Sequence, residues 1–280
     1  MRLDNRSETA VTVSTGARPF QEAASFRQYR QTQPSPGLPV SDAIDFKEVN
    51  KRYARQPALR SVSFTVPTGS IFGLIGLNGA GKTTLIKCLL NFTFPDSGDI
   101  RIFSLPAADS LARSPLAYLP ERFIPPAYLT GIEYLRMTSE LYGVTLEHQR
   151  MEEAAAAIDL DPKYLAQRVS SYSKGSGQKL GIAAVLLSER NLLVLDEPMS
   201  GLDPRARAYL KTEIKVAHRR GATVFFSSHS LADVEELCDS FTLLHEGEIR
   251  YVGGAEELRA RTGADTLDGA FLKALEGPLA

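Results

Sequence analysis

The run Gly76-Leu77-Asn78-Gly79-Ala80-Gly81-Lys82-Thr83-Thr84 brings together glycines, a lysine and two hydroxyls. It fits G-x-x-x-x-G-K-[ST] and adds a third glycine, Gly79. Glycines let a backbone turn tightly, so that successive N–H groups (those of Asn78, Gly79, Ala80 and Gly81 among them) point at one anion. If a helix starts at Lys82, its N-terminus adds the positive end of a dipole. In that setting Lys82 reaches the β- and γ-phosphates of a nucleotide, and the Thr83 hydroxyl ligates Mg²⁺. A second run, Leu192-Leu193-Val194-Leu195-Asp196-Glu197-Pro198, ends a short apolar stretch on two acids. Ligands in parallel sheets bind at the carboxyl ends of strands, which brings these acids to the phosphate loop. Asp196 then holds Mg²⁺, directly or through water, and Glu197 polarises an attacking water as general base.

Those groups need strands and helices to hold them. Residues 44–49, 61–66 and 70–75 read as strands, with Val, Ile and Phe in short runs bounded by Asn, Pro and Gly. A helix is expected from about 82 to 90, and further strands at 100–103 and 117–119. Between about 124 and 187 the pattern turns helical, clearest at 131–142 and in the alanine-rich run 152–158. The continuous apolar run 192–195 marks a strand buried on both faces of a parallel sheet. A helix at 204–217, strands at 224–226, 241–244 and 248–252, and two short helices within 253–280 complete the pattern. No internal repeat is visible, so one nucleotide core is expected in an α/β architecture with a helical insertion.

The bulk properties narrow the choices. Of 280 residues, 43% are hydrophobic and 23% charged, and the formal net charge is -1. That balance gives no global basic field for nucleic acid, and none is expected as a partner. No apolar run approaches the ~18 residues that span a bilayer. No apolar leader opens the chain, so a cytoplasmic location is expected. Cys88 and Cys238 stand in no metal or redox spacing and read as core thiols of a reducing compartment. The first 42 residues are rich in Ser, Thr, Gln, Pro and Arg and read as a disordered tail, with a short helix conceivable at 23–29.

With these motifs in order, residues 43–252 resemble the ATPase subunits of ABC transporters. Ser200-Gly201-Leu202-Asp203 resembles the family's D-loop, and Ser227-Ser228-His229 its switch histidine, with His229 as sensor of the γ-phosphate. Tyr53 resembles the aromatic residue that stacks on adenine, an interaction worth roughly 1–3 kcal/mol. The family signature is usually Leu-Ser-Gly-Gly-Gln; here it reads Tyr172-Ser173-Lys174-Gly175-Ser176, which keeps Ser173 and Gly175. A similar Tyr-Ser-Lys-Gly form occurs in the exporter-like branch. Gly177 follows closely and is expected to loosen this helix start. The usual Q-loop glutamine is Glu121, which still reaches Mg²⁺ or its water, and Met199 replaces a frequent threonine.

The resemblance implies a P-loop NTPase core of ABC ATPase type, with a small antiparallel β subdomain and a helical subdomain at about 124–187. It implies ATP and Mg²⁺ as ligands and hydrolysis coupled to export. It also implies a head-to-tail pairing, most simply a homodimer, in which Ser173 and Gly175 bind the partner's γ-phosphate. The membrane permease would be a separate chain, received around residues 121–141, and would hold this protein at the inner face of the cell membrane. The competing class is a soluble ABC ATPase acting on ribosomes or DNA. One core and no sustained heptads weigh against it. A P-loop kinase gives no reason for Ser173, Gly175 and His229 to occur together.

Overall fold

The computed structural model describes residues 42–54 and 56–277. The expected tail 1–41 and the helix at 23–29 lie outside the described residues.

Two sheets organise the chain. A four-stranded antiparallel sheet has the order β2-β1-β4-β5, from β1 (Asp42–Tyr53), β2 (Gln56–Pro67), β4 (Ser97–Ile102) and β5 (Leu105–Pro106). A six-stranded sheet has the order β10-β9-β3-β8-β7-β6, from β3 (Ile71–Ile75), β6 (Leu116–Leu119), β7 (Leu192–Leu195), β8 (Thr223–Ser228), β9 (Ser240–His245) and β10 (Glu248–Gly253). Its strands are parallel except at the β9–β10 hairpin.

The apolar runs of β3, β7 and β8 follow from a sheet covered on both faces, because alternate side chains serve two cores. Ile71, Ile75, Leu193, Leu195, Val224 and Phe226 face the helical layer. Phe72, Leu74, Leu192, Val194 and Phe225 face the antiparallel sheet. Rings lock that second interface: Phe46 and Phe64 lie 4.7 Å apart, Phe64 and Phe72 5.7 Å, and Phe72 and Phe225 6.2 Å between centroids.

The helices are α1 (Lys82–Leu89), α2 (Gly131–Leu141), α3 (His148–Ala157), α4 (Lys174–Leu187), α5 (Pro204–Arg219), α6 (Leu231–Leu237), α7 (Ala255–Thr262) and α8 (Leu267–Glu276). A capping box starts α2: Glu133 N–H donates to Thr130 Oγ1 at 3.3 Å, and Thr130 N–H donates to the Glu133 carboxylate at 2.8 Å. Beyond Lys179, helix α4 is apolar all round, because it is sunk in the helical layer.

Several expectations change in detail. Strand β1 begins at Asp42, so that residue belongs to the sheet and not to the expected tail. Strands β1 and β2 run longer than their apolar centres, because the ladder continues through register shifts into polar sequence. The expected loosening at Gly177 is not seen: its N–H donates to Ser173 O at 2.9 Å, the regular helical bond. The last two helices, expected within 253–280, pack on the core. Leu258, Leu267, Ala270, Phe271 and Ala274 are buried in the same core as Phe241 and Tyr251.

Candidate functional site

Strand β3 stops at Ile75, and the glycine-rich loop turns into α1 with Gly81 as N-cap. Two glycines there are required by their surroundings. A Cβ on Gly76 would stand 2.3 Å from Leu244 O. At Gly81, where φ is 111°, it would stand 2.6 Å from Ala58 O. The hairpin turn between β9 and β10 braces the loop from behind, with Gly247 N–H donating to Ala80 O at 2.9 Å. Lys82 is only 7% exposed. Its Nζ donates to Gly76 O at 2.7 Å and lies 3.2 Å from Glu197 Oε1.

The acids follow the end of β7. Asp196 is buried; its Oδ1 accepts from Ser227 Oγ at 2.6 Å, and that hydroxyl accepts from Glu197 N–H at 2.8 Å. Asp196 Oδ2 is buried with no hydrogen-bond partner. Burial pushes the Asp196 carboxyl above its ordinary range; the Ser227 and Thr83 hydroxyls pull it down, and the negative charges of Glu121 and Glu197 push it up again. A buried carboxylate with an unsatisfied oxygen beside a threonine hydroxyl suits a hard divalent cation. Among the described residues no group of three or more His, Cys, Asp or Glu forms a metal cluster.

Glu197 occupies the left-handed region, with φ 47°, a conformation rare for a side chain of this size. It lies between Lys82 and His229. Oε1 faces Lys82, and Oε2 accepts from His229 Nδ1 at 2.8 Å. A carboxylate only accepts, so Nδ1–H is the donor in this contact. The imidazole is 60% exposed while the carboxylate is nearly buried, so one edge of the pair faces solvent.

Residues 78–84, Glu121, Glu197, Ser200 and His229 line one cleft of about 540 Å³. Gly76 and Asp196 support it through Lys82 and Ser227. Besides these two, three sequence-predicted residues do not line it. Tyr53 stands at the end of β1, 48% exposed, with Lys51 Nζ 5.7 Å from its ring centroid. Ser173 caps α4, its Oγ accepting from Ser176 N–H at 3.1 Å. Gly175 packs on the D-loop, where an added Cβ would lie 3.3 Å from Gly201 O. A larger opening of about 880 Å³, lined by Arg150, Glu189, Arg190, Glu213 and Arg220 among others, contains none of the predicted residues.

Sequence reading passed over Ser227 as a site residue. Its signal was a hydroxyl following the apolar centre of a fully buried strand, next to the strand that delivers the acids. Ala58 also lines the cleft, from a strand with no chemical motif.

The family model described as ABC transporter matches residues 59–200. The chain is 36% identical over 236 residues to the ABC-type transporter ATP-binding protein EcsA of Bacillus subtilis, covering 82% of this chain and 95% of that protein. It is 34% identical over 235 residues to the bacitracin transport ATP-binding protein BcrA of Enterococcus faecalis, covering 81% and 75%. A solved structure of the ATP binding subunit of an ABC transporter superimposes with a TM-score of 0.77 at 33% identity, covering 83% of this chain and 99% of that one.

Proposed function

This chain belongs to the ABC transporter family as an ATP-binding, ATP-hydrolysing subunit, and we propose that it closes head to tail on a second copy of itself to drive export through a permease on a separate chain. The observation that carries this reading is the division of the site. Lys82, Glu197 and His229 are linked around one cleft, while Ser173 and Gly175 stand outside it.

In this mechanism the N–H groups of residues 78–84 and the Lys82 ammonium bind the ATP phosphates. Tyr53 stacks on the adenine. Thr83, Asp196 and Glu121 would hold Mg²⁺, which when bound supplies positive charge to the phosphate oxygens. Glu197 accepts a proton from the attacking water, and ADP and phosphate leave. The His229 Nδ1–H bond fixes the Glu197 carboxylate at the edge of the cleft. The helical stretch 124–187 carries Ser173 and Gly175 to the partner's γ-phosphate, so ATP favours the closed pair and hydrolysis releases it.

The export direction is suggested by the relatives and by the Tyr-Ser-Lys-Gly signature. Among the described residues no helix is long and apolar enough to cross a membrane, which supports a separate permease. The proposed docking surface lies around residues 121–141, where Ile124, Tyr128 and Leu141 are each at least 72% exposed. Docking there would hold the chain at the inner face of the membrane.

Gel filtration tests the pairing. The Glu197→Gln chain with ATP and Mg²⁺ should elute as a dimer and return to monomer with ADP. A monomer in both conditions contradicts the reading.

A further inference from the structure

The last residues of β1 are not aimed by regular strand pairing. Their register against β2 slips between Val49 and Lys51, and again between Lys51 and Arg52. A carboxylate from another part of the chain holds them instead. Asp96, in the loop between α1 and β4, accepts from Arg52 N–H at 2.7 Å and from Lys51 Nζ at 2.9 Å. Its own N–H donates to Asn50 O at 2.8 Å. Three consecutive residues before Tyr53 are therefore gripped by one aspartate.

The grip has a direction. Lys51 Nζ lies 5.7 Å from the Tyr53 ring centroid, within cation–π range, so the cation covers one face of the ring. The Lys51 side chain is only 14% exposed, whereas Tyr53 is 48% exposed. An ordinary surface ion pair leaves both partners free to reorient. Here the bond to the Arg52 backbone fixes the carboxylate. The Lys51 ammonium, and then the Arg52 N–H, hold the Asp96 carboxyl below the usual range, so it is ionised at neutral pH. Asp96 also follows α1, the helix that begins at the phosphate loop, which ties the two ends of the nucleotide site together.

We propose that Asp96 and Lys51 are positioning residues for the nucleotide base, fixing the Tyr53 ring so that its uncovered face receives the purine. The proposal rests on the reading of Tyr53 as the base-stacking residue. It separates base recognition from phosphate recognition, because neither residue touches the glycine-rich loop.

The test uses the full chain with two probes, ATP and inorganic tripolyphosphate, each titrated with Mg²⁺ by calorimetry, alongside steady-state hydrolysis. Asp96→Asn and Lys51→Met should each weaken ATP about 5- to 20-fold, a loss within the range of one stacked base. Tripolyphosphate affinity should stay at the wild-type value. The KM for ATP should rise while kcat at saturation stays within about twofold. Tyr53→Ala should show the same selectivity for ATP, and Tyr53→Ala combined with Asp96→Asn should lose no more than Tyr53→Ala alone. Wild-type ATP affinity in Asp96→Asn, together with a loss in Tyr53→Ala, overturns the positioning role alone. Wild-type ATP affinity in Tyr53→Ala overturns the stacking reading and this proposal with it. Equal losses for ATP and tripolyphosphate would place the effect in the phosphate loop and also overturn it.

Discussion

The starts of α1 and α4 are built from similar residues and end in opposite situations. Both are rich in glycine and hydroxyls, both carry a lysine at the first helical position, and neither has an acid in its first turn. At α1 the lysine is folded inward onto loop carbonyls and Glu197, and the loop is braced by Leu244 and Gly247. At α4 the Ser173 hydroxyl turns back to cap its own helix, and Lys174 lies exposed along Gly201. One helix start meets Glu197 of its own chain. The other stands outside that cleft, and only the proposed pairing would bring an anion to it.

The largest expected effect lies on the α1 side. Glu197→Gln should keep ATP binding and lower turnover about 10²–10⁴-fold, because an amide cannot take the proton from water. Turnover near the wild-type rate would remove Glu197 from the mechanism. Lys82→Ala should weaken ATP binding or abolish hydrolysis by deleting the point charge at the phosphates, and unchanged binding and turnover would dissolve the contrast between the two helix starts.

A pH argument sharpens the same side. The folded chain raises the Asp196 carboxyl above its unfolded value, chiefly through burial. A raised acid binds more protons folded than unfolded, so stability falls as pH rises from the unfolded value through the folded one. At neutral pH the ionised group therefore costs stability. Asp196→Asn keeps an acceptor for Ser227 and should raise the melting temperature at pH 7, at about 2–4 °C per kcal/mol, while removing Mg²⁺-dependent hydrolysis. The gain should vanish below about pH 4, near the ordinary aspartate value. A lower melting temperature at pH 7 would show that the charge is already compensated within the chain.

The smallest effect is expected at the N-terminus. Residues 1–40 lack the apolar content to build a core, so their removal should leave ATPase activity and melting temperature unchanged. A large drop in melting temperature would contradict that expectation.

The phosphate loop and the Asp196-Glu197 pair were legible because their residues are consecutive, so local sequence carries the chemistry. Strands β3, β7 and β8 were legible because burial on both faces leaves unbroken apolar runs. Ser227 was not seen as a bridge, because its partners lie on the neighbouring strand and register decides that contact. The clamp of Asp96 on Lys51 and Arg52 joins a loop to the end of a strand 44 residues earlier in sequence, and no local pattern announces that contact. The burial of α7 and α8 was missed because their short amphipathic pattern does not say which surface they cover.

Mixing two inactive chains tests the central claim, that each site is shared between subunits. Ser173→Arg should leave ATP binding by the isolated chain intact and block ATP-driven pairing with itself, since a bulky side chain fills the γ-phosphate's place. In a heterodimer with Lys82→Ala, one composite site carries both lesions and the other carries neither. The account predicts that hydrolysis returns in the mixture, at up to about half the wild-type rate per heterodimer if the sites turn over alike. Loss of ATP binding by the isolated Ser173→Arg chain would place the signature in its own chain's site and contradict the account.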